Sequence, residues 1–76
     1  MSDADIHRTI TDLVAEEHRL RSGAVSADER ERLSHVEDSL DQCWDLLRQR
    51  QALREAGADP EQAHTRPTGE VEGYLQ

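Results

Sequence analysis

The chain has 76 residues, with one tryptophan, one tyrosine, no phenylalanine and a single cysteine. Nine basic residues, all arginine, face seventeen acidic ones, and the resulting net charge of −8 argues against nonspecific binding to nucleic acid or an anionic membrane. The lone Cys43 rules out an internal disulfide framework, the acidic start Met1–Asp5 lacks the apolar core of a secretory signal, and no apolar run approaches membrane-spanning length, so the expected setting is cytoplasmic.

Ser2, followed three residues later by Asp5, is a variant capping box that opens a first helix over Asp3 to Arg21. Ile6, Ile10, Leu13 and Leu20 share one face of that helix, with Val14 on its flank. Glu17 falls in the middle of the same face, where an apolar residue is expected. A carboxylate there is costly unless paired. Near the loop end it is expected to reach Arg30 or Arg32, or to act as a register and specificity element. Ser22-Gly23-Ala24-Val25 breaks the pattern, with Gly23 placed as the left-handed residue after the helix.

A second and longer helix is predicted from Ser26 to Ala56. Ser26-Ala27-Asp28-Glu29 is its capping box, acidic residues occupy its first turn, and Gly57 is its C-terminal cap. Leu33, Val36, Leu40, Cys43 and Leu47 recur at alternating spacings of three and four, the pattern of a coiled-coil seam. A short connection makes the two helices antiparallel neighbours. Folding about it sets Leu13 near Val36, Ile10 near Leu40 and Ile6 near Cys43. By that register the first helix ends where the second reaches Trp44. About two to three turns carrying Leu46, Leu47 and Leu53 then project beyond it. So wide an apolar surface calls for a second chain or the tail to cover it. Arg48, Arg50 and Arg54 make the same turns basic, which suits the negative end of the helix dipole.

The remainder, 58–76, is an acidic tail in which Pro60, Pro67, Gly69 and Gly73 preclude a long helix. Asp59-Pro60-Glu61 reads as the start of a single turn. Val71, Tyr74 and Leu75 form a small apolar cluster, expected either to fold back on the second helix or to serve as a short recognition peptide.

No catalytic constellation is present. Glu61 and His64 form the lone Glu-x-x-His, which cannot by itself complete a metal site. Asp3 with His7, and His35 with Asp38, read as solvated pairs on helix faces. Cys43 reads as a small core residue with no cation beside it to make a reactive thiolate. Trp44 beside Arg48 has the composition of an interface hot spot.

The runs Leu13–Leu20 and Leu40–Arg50, with Arg66-Pro67 and Val71-Glu72-Gly73-Tyr74, resemble a family of small actinobacterial proteins, the domain-of-unknown-function 2630 family. The match covers nearly the whole chain, and Gln42-Cys43-Trp44-Asp45-Leu46-Leu47-Arg48 is its most specific run. The resemblance implies a bacterial cytoplasmic protein. It transfers no activity, ligand or catalytic residue.

The expected fold is all-α: an antiparallel, coiled-coil-like hairpin of unequal helices over 1–57, an extended tail over 58–76, and dimerisation into a four-helix arrangement. The expected function is a non-enzymatic protein–protein interaction or adaptor module, without cofactor, resident metal, nucleic-acid or membrane partner. Its expected interface comprises Cys43, Trp44, Leu46, Leu47, Arg48 and Arg50 together with Leu53, Arg54, Val71, Tyr74 and Leu75. Its partners are a second copy of the chain and an unidentified protein. Two alternatives are a metal-binding oligomer that pools His7, His18 and carboxylates across a dimer, and an acidic regulator that competes with nucleic acid for a basic protein.

Overall fold

The computed structural model describes residues 1–23 and 26–67. It contains two α-helices, α1 (Asp3–Arg21) and α2 (Ala27–Glu55), and a 3₁₀ turn at Pro60–Gln62, with no strand among the described residues. Helix α1 starts where the sequence places it. Ser2 Oγ accepts the Asp5 N–H at 3.1 Å, and Asp5 Oδ2 accepts the Ser2 N–H at 3.1 Å, so two of the otherwise orphaned donors are satisfied. At the start of α2 only half of the box forms. Ser26 Oγ accepts the Glu29 N–H at 3.2 Å, whereas the Glu29 carboxylate takes the Ser26 hydroxyl at 3.3 Å.

The two C-termini differ. Gly57 has φ +76°, and the Gly57 and Ala58 amides return to the carbonyls of Arg54 and Leu53 at 3.1 and 2.8 Å. This is the paired bonding of a Schellman motif, which needs a left-handed residue after the cap. Gly23 does not play that part for α1, contrary to the sequence reading: among the described residues only Gly57 has positive φ. Helix α1 ends instead at Ser22, whose N–H and hydroxyl both return to the Arg19 carbonyl, at 3.4 and 2.9 Å. A serine that caps with its own side chain removes the need for a left-handed glycine.

The helices pack through the expected seams. Ile6, Ile10, Leu20, Val36, Leu40 and Leu46 are buried, with Leu13, Val14, Leu33, Cys43, Leu47 and Ala63 packed around them. Each large side chain fully buried there contributes about 2 kcal/mol. Across the loop end Arg32 pairs with Glu16 at 2.6 Å and Arg21 with Glu37 at 2.8 Å. Glu17 is therefore not neutralised by Arg30 or Arg32. It lies half-buried with Arg21 at 3.6 Å, because a step of one residue turns the helix by about 100° and gives Arg32 to Glu16.

At the far end of α2, the start of α1 and the first residues of the tail supply part of the cover that the sequence left to a second chain or the tail. Asp3, at the start of α1, reaches Arg50 Nε at 2.5 Å and Arg54 Nη2 at 2.9 Å. The chain then reverses at Gly57, Asp59 caps the 3₁₀ turn through the Glu61 N–H at 2.9 Å, and residues 63–66 run back beside α2. Ala63 joins the core from this segment.

Candidate functional site

Two faces of α2 carry the chemistry. On the first, Gln42, Asp45 and Gln49 follow one another at helical spacing and hold the returning strap, the glutamines by its backbone and Asp45 by the Arg66 side chain. Gln42 donates to the Arg66 carbonyl at 3.1 Å. Gln49 donates to the His64 carbonyl at 2.8 Å and accepts the His64 N–H at 3.3 Å, as a strand neighbour would. Asp45 is only 1% exposed, and Arg66 closes on it with both Nε, at 2.8 Å, and Nη2. Gln49 adds a third bond to the same carboxylate at 2.8 Å. The Arg66 hydrogen bonds hold the Asp45 carboxyl below its ordinary pKa, against the opposing effect of burial.

A second cluster locks the two ends of the molecule together. Arg50 is 7% exposed and donates to Asp3, to the Pro60 carbonyl at 3.3 Å and to Glu61 at 3.2 Å. Glu61 in turn accepts the Met1 ammonium at 3.2 Å. Arg54 and Arg50 lower the Asp3 pKa, and Asp3 raises that of Arg50. Arg50 thus joins the starts of α1 and of the 3₁₀ turn to α2. The sequence reading placed Arg50 among the expected interface residues and in the basic last turns of α2; the structure engages it within the chain instead.

The second face of α2 is open. Trp44 is 47% exposed, despite its place in the most apolar run of the chain. Its ring stands edge-on to His7, with centroids 6.3 Å apart and an interplanar angle of 81°. Trp44 and His7, with Asp3, Leu47, Arg48, Gln51 and Arg54, line a groove of about 480 Å³ between the helices. Four of the residues expected at an interface, Trp44, Leu47, Arg48 and Arg54, are thus brought together. Cys43 and Leu46 instead line a smaller pocket of about 230 Å³ with Ile6 and Thr65. Leu53 is half-buried. Val71, Tyr74 and Leu75 lie outside the described residues.

Burial raises the pKa of the Cys43 thiol, which disfavours the thiolate. Among the described residues no three His, Cys, Asp or Glu side chains come together as a metal site. No helix among them is long and apolar enough to cross a membrane.

Sequence reasoning missed Asp45 and Arg66. The available signals were an acid inside the run Cys43–Leu47 and the one arginine that follows Gly57.

Comparison with known proteins identifies a family. A family model described as "Protein of unknown function (DUF2630)" matches residues 2–76. The chain belongs to the DUF2630 family. Among its relatives in the family are uncharacterized proteins of Mycobacterium bovis and Mycobacterium tuberculosis, each 49% identical over 78 residues. The alignments cover 96% of this chain and 90% of each relative. These relatives are actinobacterial, in agreement with the resemblance read from the sequence. No solved structure matches the chain significantly.

Proposed function

We propose that this DUF2630 protein is a non-enzymatic interaction module that acts through the open face of α2, and that one occupant of that face is a second copy of the chain. The observation that carries the reading is the half-exposed Trp44 flanked by charge of opposite sign. Asp41 precedes it by three residues and Arg48 follows it by four, so the ridge is self-complementary. Two copies of α2 laid antiparallel about Trp44 set each Asp41 against the other's Arg48, the arrangement a two-fold dimer requires. The product is the four-helix arrangement that antiparallel hairpins favour. A tryptophan with a neighbouring arginine is also the composition that dominates binding energy at interfaces.

Recognition suits the groove better than catalysis. Asp3, the carboxylate among its lining residues, is held by Arg50 and Arg54, so it is a structural anchor and a poor proton acceptor. A single free, half-buried Cys43 agrees with a cytoplasmic setting. Sedimentation velocity of the wild type and Trp44→Ala tests the proposal. Loss of a central tryptophan costs about 2 kcal/mol or more of association energy, which raises the dimer dissociation constant by about 30-fold. An unchanged concentration dependence in Trp44→Ala would defeat it.

A further inference from the structure

We infer that the second copy lies along the whole exposed strip of α2 in antiparallel register, and that Arg30 and Glu55, near the two ends of the strip, fix that orientation. The inference rests on the interaction reading above and extends it to residues far outside the Trp44 groove.

Its ground is the order of charges along the strip. At about 100° per residue, Arg30, Glu37, Asp41, Arg48 and Glu55 all fall within about 60° of Trp44 around the helix. The strip lies between the seam that meets α1, around Val36 and Leu40, and the face of Gln42, Asp45 and Gln49 that holds the strap. Arg30, Trp44, Arg48 and Glu55 are exposed, and Glu37 and Asp41 are half-buried. The sign of the charge reverses between the two directions from Trp44. Toward the start of α2 come acidic Asp41 and Glu37, then basic Arg30; toward its end come basic Arg48, then acidic Glu55.

A two-fold axis through Trp44 lays one half of the strip on the other half of the second copy. Arg30 stands about 21 Å from Trp44 along the helix and Glu55 about 16 Å on the other side. Across the axis they meet with an offset of about 5 Å, within the reach of two long side chains. Glu37, held in its own chain by Arg21 at 2.8 Å, faces the Gln51 amide of the second copy, which is a donor. A parallel copy in the same register sets Arg30, Asp41, Arg48 and Glu55 each against its own like. Such apposition of like charges is costly, and coiled coils choose their orientation by the same means.

Two readouts on the full chain test the inference. Glu55→Arg turns two opposite-charge pairs into two like-charge pairs, and sedimentation is expected to show a dissociation constant about 10-fold higher. Adding Arg30→Glu is expected to restore the wild-type value. Orientation is read from the distance between spin labels on Glu31→Cys, an exposed position off the strip, in a Cys43→Ala chain that dimerises like the wild type. Antiparallel copies hold the labels about 40 Å apart, and parallel copies hold them about 25 Å apart. A distance near 25 Å overturns the inference. So does a Glu55→Arg chain that dimerises as tightly as the wild type, or a double variant as weak as the single. Each of these leaves a Trp44-dependent dimer, and with it the interaction reading, in place. A chain that stays monomeric at every concentration defeats the interaction reading itself, and this inference with it.

Discussion

Replacing Arg66 by alanine strips Asp45 of its charged partner while the strap still tends to close over it. Asp45 is 1% exposed, and the Arg66 side chain is 27% exposed. Breaking a sealed ion pair from one side costs about 3–5 kcal/mol. Loss of the Arg66 side chain also opens a path for water to the carboxylate, so the lower range, about 2–3 kcal/mol, is expected for hydrogen bonds to a charged group. For a chain of this size that lowers Tm by about 10 °C or more. Asp45→Ala is milder, because the arginine it frees can swing into solvent whereas a stranded carboxylate cannot. Urea unfolding followed by circular dichroism, on both single variants and the double, yields the coupling energy directly. A coupling of about 1.5–3 kcal/mol is expected, with a faster-exchanging His64 amide in both single variants. A coupling under about 0.5 kcal/mol, typical of exposed pairs, would refute the idea that this clasp holds the strap.

Gly57→Ala is expected to cost about 1–2 kcal/mol, because φ +76° is strained for any residue with a Cβ although nothing lies within 4 Å of one there. Gly23→Ala has neither problem and is expected to be neutral or slightly stabilising in the same urea titration. Ser26→Ala removes the bond to the Glu29 N–H and is expected to cost about 1 kcal/mol. On acidification, Asp3, Glu16, Asp45 and Glu61 all have pKa values held below the ordinary 3.8 and 4.5 by their cationic partners. The unfolded chain then binds more protons, so their contribution is full above those ordinary values and is lost as pH falls through the lower folded ones. Circular dichroism against pH is expected to show a flat plateau to pH 5 and loss below about pH 4; a decline beginning near neutrality would contradict it. Cys43 alkylation is expected to be slow in the folded chain and fast in urea.

The helices were legible in the sequence because their signals are local. Ser2, Ser26, Asp59 and Gly57 each act within a few residues, and the Ile6–Leu20 and Leu33–Leu47 faces follow helical spacing. The charged pairs that fasten the end of α2 were not legible, since each joins residues far apart in the chain: Asp45 with Arg66, Arg50 with Asp3 and Glu61. A charged residue read alone defaults to solvent. Only its distant partner offsets the cost of burial. For the same reason the apolar run around Trp44 read as one uncovered patch, when the strap in fact takes Leu46 and leaves Trp44 open. Trp44 and Arg48 were visible as a candidate site because their residue types are informative wherever they lie.

The most direct test of an α2 face that receives a second copy is charge reversal across its two-fold axis, read by sedimentation velocity. Asp41→Arg alone sets like charges against Arg48 of the other copy twice over and is expected to shift the chain to monomer. Adding Arg48→Asp restores opposite charges in the reversed sense and is expected to recover the dimer. A double variant as monomeric as the single, or a single variant that dimerises like the wild type, would contradict the account.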